Sequence, residues 1–411
     1  MQSRFLRILI LSAFMVSLLA SAGFAARRSS LAGNLLIKDR DDVFFMPQNI
    51  HDYTRMVTFD FGSSMGIGNG GLVFNAGESA VLGVFAHKTD FIGAIPTAFT
   101  ASGDGSIMMT GSNDFGGNFL PFNLPGVLST ANDYMPPMNW VDVIVGFGSE
   151  EMPWGIRASL GSAANKTEPN GGTTNDSNSI AFNVVGGTTI NEDVEVSAEF
   201  SYASATVEAT PGGSKDEVSP IHFAASIRKT ASEEQEALQL GYLGSFYFVT
   251  GTDKTTPPSP GTVTETDLSA FGLTLGAGPV YTPHERTTVA MYGTFEYANV
   301  SAKSGSSENK YNRITIPGLN IATEVELSSW AQARAGLKSK YMLDSQEMPG
   351  TGGQDKMSER GLVYNWYTGL GITIDNFMLD GYFDPSVITS GTDLLGSSSD
   401  LFGMVTATFM F

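Results

Sequence analysis

Apolar and polar positions alternate with a period of two in many segments between about residue 53 and the end of the chain. The clearest run covers residues 194–202, where Val194, Val196 and Ala198 share one face and Glu195 and Glu199 the other. Successive side chains of a β-strand point to opposite faces, so the pattern predicts strands rather than helices. Similar runs lie near 141–147, 154–160, 221–228, 289–297 and 331–338. The fold is therefore predicted to be all-β.

The connections between these segments alternate in length. Short polar turns fall near 76–78, 149–153, 191–193, 231–235, 283–285, 327–329 and 375–376. Longer segments rich in Gly, Ser and Thr lie near 89–138, 163–177, 208–218, 251–264, 303–313, 344–358 and 384–399. Tight turns at one end and long loops at the other are typical of a transmembrane antiparallel up-and-down β-barrel. With a further connection near 63–67, the count is about 16 strands, within limits of about 14 and 18.

The first residues have the pattern of a secretory signal. Arg4 and Arg7 precede an apolar core at 8–20, and small residues end at Ala25. We therefore predict a signal peptide over residues 1–25, a leader over 26–52 and a barrel over 53–411. Both termini of the barrel lie on the short-turn side, which we expect to be periplasmic. The leader is expected to be either a periplasmic arm or a small plug in the lumen.

The chain ends in an aromatic strand. Val405, Ala407, Phe409 and Phe411 share one face, and about ten residues suffice for a strand to cross a bilayer. Together with the signal and the alternation, this ending resembles that of Gram-negative outer-membrane β-barrel proteins. The resemblance implies an outer-membrane location, contact with membrane lipid and lipopolysaccharide, and recognition of Phe409 and Phe411 by the barrel-assembly machinery.

Aromatic residues near the strand ends suggest two interfacial girdles, since such side chains are enriched where a membrane meets water. The candidates near short turns are Phe147, Trp154, Tyr281, Trp330 and Phe377, and those near long loops are Trp140, Tyr364 and Trp366.

The leader carries a second, fainter resemblance. The stretch Asp-Asp-Val-Phe-Phe-Met-Pro-Gln at 41–48 is similar to the amino-terminal hatch of outer-membrane transporters for fatty acids and hydrocarbons. Those proteins have Asn-Pro-Ala where this chain has Met46-Pro47-Gln48, so it departs from the motif on both sides of the proline. The likeness covers a small part of the chain and transfers no residue roles.

Composition narrows the function classes. The 411 residues include no cysteine, which excludes a lipid anchor on cysteine, disulfides and thiol chemistry. A formal net charge of −19 argues against a nucleic-acid partner. Mean hydropathy near zero fits a barrel, in which lumen-facing and lipid-facing residues average out.

Charged residues on the polar strand faces are expected to line the lumen, because an Arg or Lys facing lipid at mid-bilayer costs roughly 2–4 kcal/mol. They either pair across the wall or select ions, and their excess of carboxylates predicts a modest preference for cations. The candidates are Asp142, Arg157, Glu195, Glu199, Arg228, Glu296, Arg334, Lys338 and Asp380.

Segment 89–138 is unusually apolar for a loop. Its Phe99, Phe115, Phe119 and Phe122 are candidates for a constriction inside the barrel or for an entry site at its mouth. A hairpin hidden in this segment is the third alternative, and it would raise the count to about 18 strands.

No catalytic or metal-binding motif accompanies the histidines, His51, His87, His222 and His284. We therefore expect neither enzyme activity nor a cofactor. The sequence favours a porin-like channel for passive diffusion of small solutes. The alternatives are a transporter of hydrophobic compounds and a structural or adhesive barrel with a plugged lumen. The oligomeric state is left open.

Overall fold

The computed structural model describes residues 26–62, 68–77, 79–87, 100–101, 107–108, 139–149, 151–167, 174–190, 193–210, 213–230, 237–258, 260–284, 286–350, 353–383 and 402–411.

The leader has a short helix, α1 (Ala26–Ser30), and two 3₁₀ turns at Arg40–Phe44 and Pro47–Tyr53. Asp39 caps the first turn: its carboxylate accepts a hydrogen bond from the Asp41 amide at 3.1 Å, and the Asp42 carboxylate accepts one from the Asp39 amide at 3.0 Å. Pro47 starts the second turn, where a missing N–H costs nothing.

Within the described ranges, eighteen strands follow. They are β1 (Met56–Gly62), β2 (Gly68–Asn75), β3 (Ala80–His87), β4 (Thr100–Ala101), β5 (Ile107–Met108), β6 (Asn139–Gly148), β7 (Pro153–Thr167), β8 (Thr174–Ile190), β9 (Val194–Thr210), β10 (Lys215–Lys229), β11 (Leu238–Thr256), β12 (Thr264–His284), β13 (Thr287–Ser304), β14 (Ser307–Ser328), β15 (Ala331–Gly350), β16 (Gly353–Ile374), β17 (Phe377–Phe383) and β18 (Phe402–Met410).

Sixteen of these strands form one closed antiparallel barrel, and β4 and β5 form a separate two-stranded sheet. Each barrel strand pairs with the next barrel strand along the chain, and β3 therefore pairs with β6. The barrel closes where β1 pairs with β18, with Met56 opposite Met410. Closure leaves no unpaired sheet edge, which is what a sheet needs in a bilayer. The predicted all-β, sixteen-strand, up-and-down barrel is confirmed. In the described part of the chain, no helix is long and apolar enough to span a membrane.

An apolar band surrounds the outside of the barrel. On β6, Val141, Val143 and Val145 are exposed on the outer face, whereas Asp142 is fully buried on the inner one. On the strands from β9 to β16, the outward positions change from apolar to polar at a well-defined boundary. The last apolar outward residues are Tyr202, Ile221, Phe248, Phe271, Tyr297, Ile314, Leu343 and Leu362.

Aromatic residues border this band on the outside. Phe147, Trp154, Tyr281 and Trp330 are exposed near the short turns, and Tyr364 and Trp366 lie on the outer face of β16. Trp140 is an exception to the prediction. Its ring faces the interior and is 2% exposed, because it lies flat over Gly161, where an added Cβ would come within 2.5 Å of the indole.

The described strands differ in length around the barrel. Strands β7 to β16 have 15 to 22 residues, whereas the barrel strands β1, β2, β3, β6, β17 and β18 have 7 to 10. Segments predicted as loops at 303–313 and 344–358 belong largely to strands. Both of their faces are polar because they lie beyond the apolar band, so no alternation of hydrophobicity marks them.

Candidate functional site: the leader inside the lumen

The leader lies inside the barrel, against the inner wall. Its apolar side chains join two clusters with inward-facing wall residues. The first cluster contains Leu31, Leu35, Leu36 and Ile37 of the leader and Leu243, Val280, Ala290, Tyr292 and Ala322 of the wall. The second contains Val43, Phe44 and Ile50 of the leader and Met56, Val73, Val81, Phe85 and Ile144 of the wall. Burial of these side chains favours a docked leader.

Glycines in the wall allow the leader to come close. A Cβ on Gly155 of β7 would lie 2.2 Å from the backbone nitrogen of Gln48. A Cβ on Gly336 of β15 would lie 2.6 Å from the backbone nitrogen of Ala32. Such distances are far inside van der Waals contact, so the wall at these points accommodates this leader only with glycine.

Arg228 of β10 is the centre of a buried ion cluster between leader and wall. Its guanidinium donates to the Asp42 carboxylate at 2.8 Å and to the Leu35 carbonyl at 3.2 Å, and it also contacts Glu195 of β9. Arg28 contacts the same Asp42 carboxylate. All four charged side chains are at most 5% exposed, so each charge depends on its partners for stabilisation.

A second cluster joins the leader to β14, β15 and β17. Arg27 forms a bidentate pair with Glu324 of β14, both contacts at 3.0 Å, and pairs with Asp39 at 2.9 Å. Glu324 also accepts from Arg334 of β15, which pairs with Asp380 of β17. Bidentate Arg–carboxylate contacts fix orientation as well as charge, so this cluster defines the position of α1 in the lumen.

A third cluster surrounds Arg40. Its guanidinium pairs with Asp60 of β1 at 3.0 Å and with Asp41 at 3.1 Å, and it donates to Thr408 of β18 at 3.1 Å. The Thr406 hydroxyl donates to Asp60 at 2.8 Å. This cluster therefore bridges the two strands whose pairing closes the barrel.

The leader carboxyls titrate differently because their surroundings differ. Burial acts to raise the pKa of Asp39, but the charges of Arg27 and Arg28 outweigh it and lower that pKa to about 2. Burial raises the pKa of Asp41 to about 7, aided by the negative charges of Asp39 and Asp60, although Arg40 opposes the shift. Asp41 thus has to share one guanidinium with a second carboxylate.

A polar network lies further along β7 to β10. Arg157 donates to the Asn183 amide oxygen at 2.6 Å, and the Asn183 nitrogen donates to Glu199 and to Ser201, both at 2.6 Å. His222 Nδ1 lies 3.6 Å from Glu199 and 3.5 Å from Ser201. All five residues are buried on the inner wall.

This network does not have the geometry of a serine hydrolase. In such an enzyme, one ring nitrogen of the histidine meets the serine and the other meets the carboxylate. Here Ser201 and Glu199 both face Nδ1 of His222, and Ser201 donates to Glu199 at 3.0 Å. Within the described ranges, no group of three His, Asp or Glu side chains is arranged to hold a metal ion.

Three other candidate residues of the lumen remain, Glu296, Lys338 and Asp142. Glu296 pairs with Lys340 of β15 at 2.8 Å. Lys338 lies on the inner face of β15 opposite Asn320, and Asp142 is buried on β6. Seven of the nine predicted lumen residues are therefore buried, and four, Glu195, Arg228, Arg334 and Asp380, belong to the ion clusters that hold the leader.

The other predicted sites have different outcomes. Phe99, Phe115, Phe119 and Phe122 lie outside the described residues. Phe409 is 47% exposed on the outer face of β18, opposite Val57 and Phe377. The amide of Phe411 donates to the Arg55 carbonyl at 2.9 Å, so the last residue continues the contact with the start of β1.

Sequence reasoning missed the leader's own charges. Inside the barrel, Arg27 pairs with Glu324 and Arg40 pairs with Asp60. Asp42 pairs with both Arg28 and Arg228. The available signal was the alternating Lys-Asp-Arg-Asp-Asp run at 38–42, which is dense in charge for a short arm. Its complementarity to the wall became visible only when strand register was known.

A closed barrel of antiparallel strands with an apolar outer band is the architecture of outer-membrane β-barrel proteins, and this chain has that architecture. In this chain the leader packs against the inner wall of the lumen.

No protein-family model and no curated protein matches the chain. Among solved structures it is similar to the copper transporter OprC, with a TM-score of 0.38 and 11% identity over 80% of this chain and 60% of that one. It is similar to the CymD monoaromatic hydrocarbon channel, with a TM-score of 0.37 and 9% identity over 96% and 98% of the two chains. It is also similar to outer-membrane expressed OmpT of Vibrio cholerae, with a TM-score of 0.29 and 10% identity over 87% and 95%. The chain thus spans about 60% of the length of OprC.

Proposed function

We propose that this protein is an outer-membrane channel for small solutes, closed by its leader in the state described above and conducting when the leader is displaced. It is exported by a cleaved signal over residues 1–25, inserted by the barrel-assembly machinery and has no catalytic role. Its partners are the lipids of the outer membrane and the solutes that pass. The proposal refines the porin-like channel favoured by the sequence by adding a gate.

One observation carries this proposal: charged side chains of the leader pair with charged side chains of the inner wall in separate sectors of the barrel. The pairs are Arg27–Glu324, Lys38–Glu195, Arg40–Asp60 and Asp42–Arg228. Displacement of the leader would leave these wall charges in a hydrated passage, where water can solvate them. A polar lumen of that kind admits water and small hydrophilic solutes.

A disulfide that locks the leader provides the test. Ser29 of the leader and Met404 of β18 lie in contact, with the Ser29 Oγ 3.5 Å from the Met404 Sδ, so a small shift allows a bond between cysteines at these positions. Because the chain has no cysteine, the pair Ser29→Cys with Met404→Cys can form one disulfide within the chain. Ser29→Cys alone and Met404→Cys alone serve as matched controls in planar-bilayer conductance.

We expect the oxidised double variant to stay closed and to recover conductance steps after reduction, whereas the single variants respond to neither treatment. Equal conductance before and after reduction would show that the leader is no gate. If neither the wild type nor any variant conducts under either condition, the barrel is permanently plugged and structural.

A second candidate function, passage of hydrophobic compounds, is supported by apolar clusters on the inner wall beyond the leader. One contains Trp140, Ala181, Ala203, Ala205 and Val218, and another contains Ala224, Tyr247, Val249, Ala270, Val300 and Tyr311. Uptake of a labelled alkane by cells that produce the protein, compared with uptake of a small sugar, separates the two candidates.

A further inference from the structure

Ala26, the first residue of α1, lies against the inner wall beside the contact between β1 and β18. It is fully buried, and its backbone nitrogen donates a hydrogen bond to the Thr406 hydroxyl of β18 at 2.9 Å. The Thr406 hydroxyl in turn donates to the Asp60 carboxylate of β1 at 2.8 Å. One side-chain oxygen therefore joins the nitrogen of Ala26 to a carboxylate of the wall.

Carboxylates lie on both sides of Thr406. Strand register places Asp60 directly opposite Thr406 on β1 and Asp380 directly opposite it on β17. All three side chains are buried. Directly paired residues on one face of a sheet have Cβ atoms about 4.5–5.5 Å apart, so a group bound at Thr406 is close to both carboxylates. Such a position favours a group with a positive charge.

The cationic side chains near the leader do not balance all the carboxylates there. Among the described residues, the three ion clusters of the leader, together with Lys38 on Glu195, contain seven carboxylates and six cationic groups. The carboxylates belong to Asp39, Asp41, Asp42, Asp60, Glu195, Glu324 and Asp380, and the cationic groups belong to Arg27, Arg28, Lys38, Arg40, Arg228 and Arg334. A buried charge without compensation is costly, so one further positive charge would stabilise the docked leader.

We propose that the α-ammonium group of Ala26 supplies this charge, and that cleavage of the signal after Ala25 creates it. The proposal rests on the proposed function only for that cleavage. Hydrolysis of the peptide bond between Ala25 and Ala26 consumes one water: its oxygen goes to the new carboxylate of Ala25, and the Ala26 nitrogen becomes an amine. This amine takes up a proton, because α-amino groups are mostly protonated at neutral pH.

An ammonium group fits the position of the Ala26 nitrogen better than a peptide N–H. A peptide N–H is one uncharged donor, and Thr406 accepts it. An ammonium group has three donors and a full charge, so its other donors are available to the carboxylates on either side of Thr406. Cleavage thus completes the docking site, and an uncleaved precursor, whose Ala26 nitrogen is an uncharged amide, docks its leader more weakly.

The test measures how fast the Ala26 amine of the mature barrel reacts with an amine-acylating reagent at neutral pH. The barrel is purified from outer membranes, labelled while folded and digested at the amino side of Asp39, which releases residues 26–38 for mass spectrometry. The mass of this peptide shows whether the mature chain starts at Ala26. Lys38 lies in the same peptide and its side chain is 44% exposed, so it reports whether the reagent reaches the leader.

Two variants change the surroundings of the amine. Thr406→Val removes the hydroxyl, and its matched control is Thr408→Val, at the next inward position of β18, whose hydroxyl contacts Arg40 and Thr58 instead. The second variant has one glycine added between Ala25 and Ala26, which displaces the amine by one residue and leaves the wall unchanged. Heat-modifiable migration verifies that all three proteins are folded.

In the wild type and in Thr408→Val, we expect the Ala26 amine to react at least tenfold more slowly than in the unfolded chain, whereas Lys38 reacts readily. In Thr406→Val, the amine should react about tenfold faster than in the wild type, because a hydrogen bond to a charged group is lost. The amine of the added glycine should react almost as fast as in the unfolded chain.

A mature chain that starts at another residue would overturn the proposal, as would a wild-type Ala26 amine that is no better protected than Lys38. An equal rate in the wild type and Thr406→Val, an equal increase in Thr406→Val and Thr408→Val, or protection of the added glycine would show that burial alone protects the amine. Because the labelling test does not depend on conductance, a barrel that never conducts can still bind its own amine, and the two proposals can fail separately.

Discussion

At the residue scale, Arg228 is the least exposed of the arginines that join the leader to the wall, and it contacts two carboxylates. Its side chain is fully buried between Asp42 and Glu195, whereas the adjacent Lys229 pairs with Asp193 near a short turn and is 29% exposed. Removal of one partner from a buried ion pair leaves the other charge without compensation, at a cost of about 3–5 kcal/mol.

Arg228→Ala is therefore expected to shift the leader towards the displaced state by a factor on the order of a hundred or more. Planar-bilayer recordings should show a higher open fraction for this variant than for the wild type. Lys229→Ala removes the same charge from the neighbouring position and should leave the open fraction unchanged. A result in which both variants behave like the wild type would contradict the role of Arg228.

The raised pKa of Asp41 predicts how docking of the leader depends on pH. The docked state raises its pKa to about 7, above the ordinary value of 3.8, so docking takes up a proton between about pH 4 and pH 7. A carboxyl with a raised pKa stabilises the docked state when it is protonated, and this contribution is lost as pH rises through 7. Asp39 has a pKa lowered to about 2, so its contribution is lost only below about pH 4.

We therefore expect the open fraction to increase from pH 5 to pH 8. Asp41→Asn, which cannot ionise, should remove most of that increase, because the raised pKa of Asp41 is its cause. An increase of the same size in the variant would show that another group controls the response.

At the scale of elements, β18 combines two roles, since it pairs with β17 on one side and with β1 on the other. Phe409 and Phe411 add exposed aromatic surface to its outer face, and we predict that they also mark the chain for assembly. The variant Phe409→Ser with Phe411→Ser should sharply lower the amount of heat-modifiable, protease-resistant barrel.

The pair Phe246→Ser with Phe248→Ser is a matched control, because these residues have the same spacing and a similar exposure on β11. If the amount of folded barrel decreases equally in both variants, loss of lipid-facing aromatic area explains the effect, and the ending is not an assembly signal.

The strands that the sequence predicted well are those that cross the apolar band. On β9 the alternation of Val194, Glu195 and Val196 reflects a lipid face and a lumen face, and such contrast is readable without a structure. The extensions of β14 and β15 beyond the band could not be predicted, because water surrounds both of their faces. Pro317 also obscured β14, where the register shifts between Thr315 and Gly318.

At the scale of the whole molecule, the contrast between the lipid face and the lumen face of each strand explains how much of the site was predictable. Alternation was sufficient to place Glu195, Arg228 and Asp380 on the polar strand faces, because a charge facing lipid is costly. It carried no information on their partners, because the Asp42–Arg228 contact joins residues far apart in sequence. That contact depends on the position of the leader, which has no periodic pattern and is positioned only by the closed barrel.

The closure between β1 and β18 also has a consequence for the order of events in biogenesis. The leader precedes every strand in the chain, yet Arg40 contacts Asp60 on the first strand and Thr408 on the last. Pairings between residues so far apart in sequence form late, because a long loop must close first. The leader must therefore stay near the contact between β1 and β18 until β18 has formed, and the step that closes the barrel also encloses the leader. Under the proposed function, a chain whose leader docks too late would have an open lumen, so the timing of insertion would decide how many channels a cell receives without a gate.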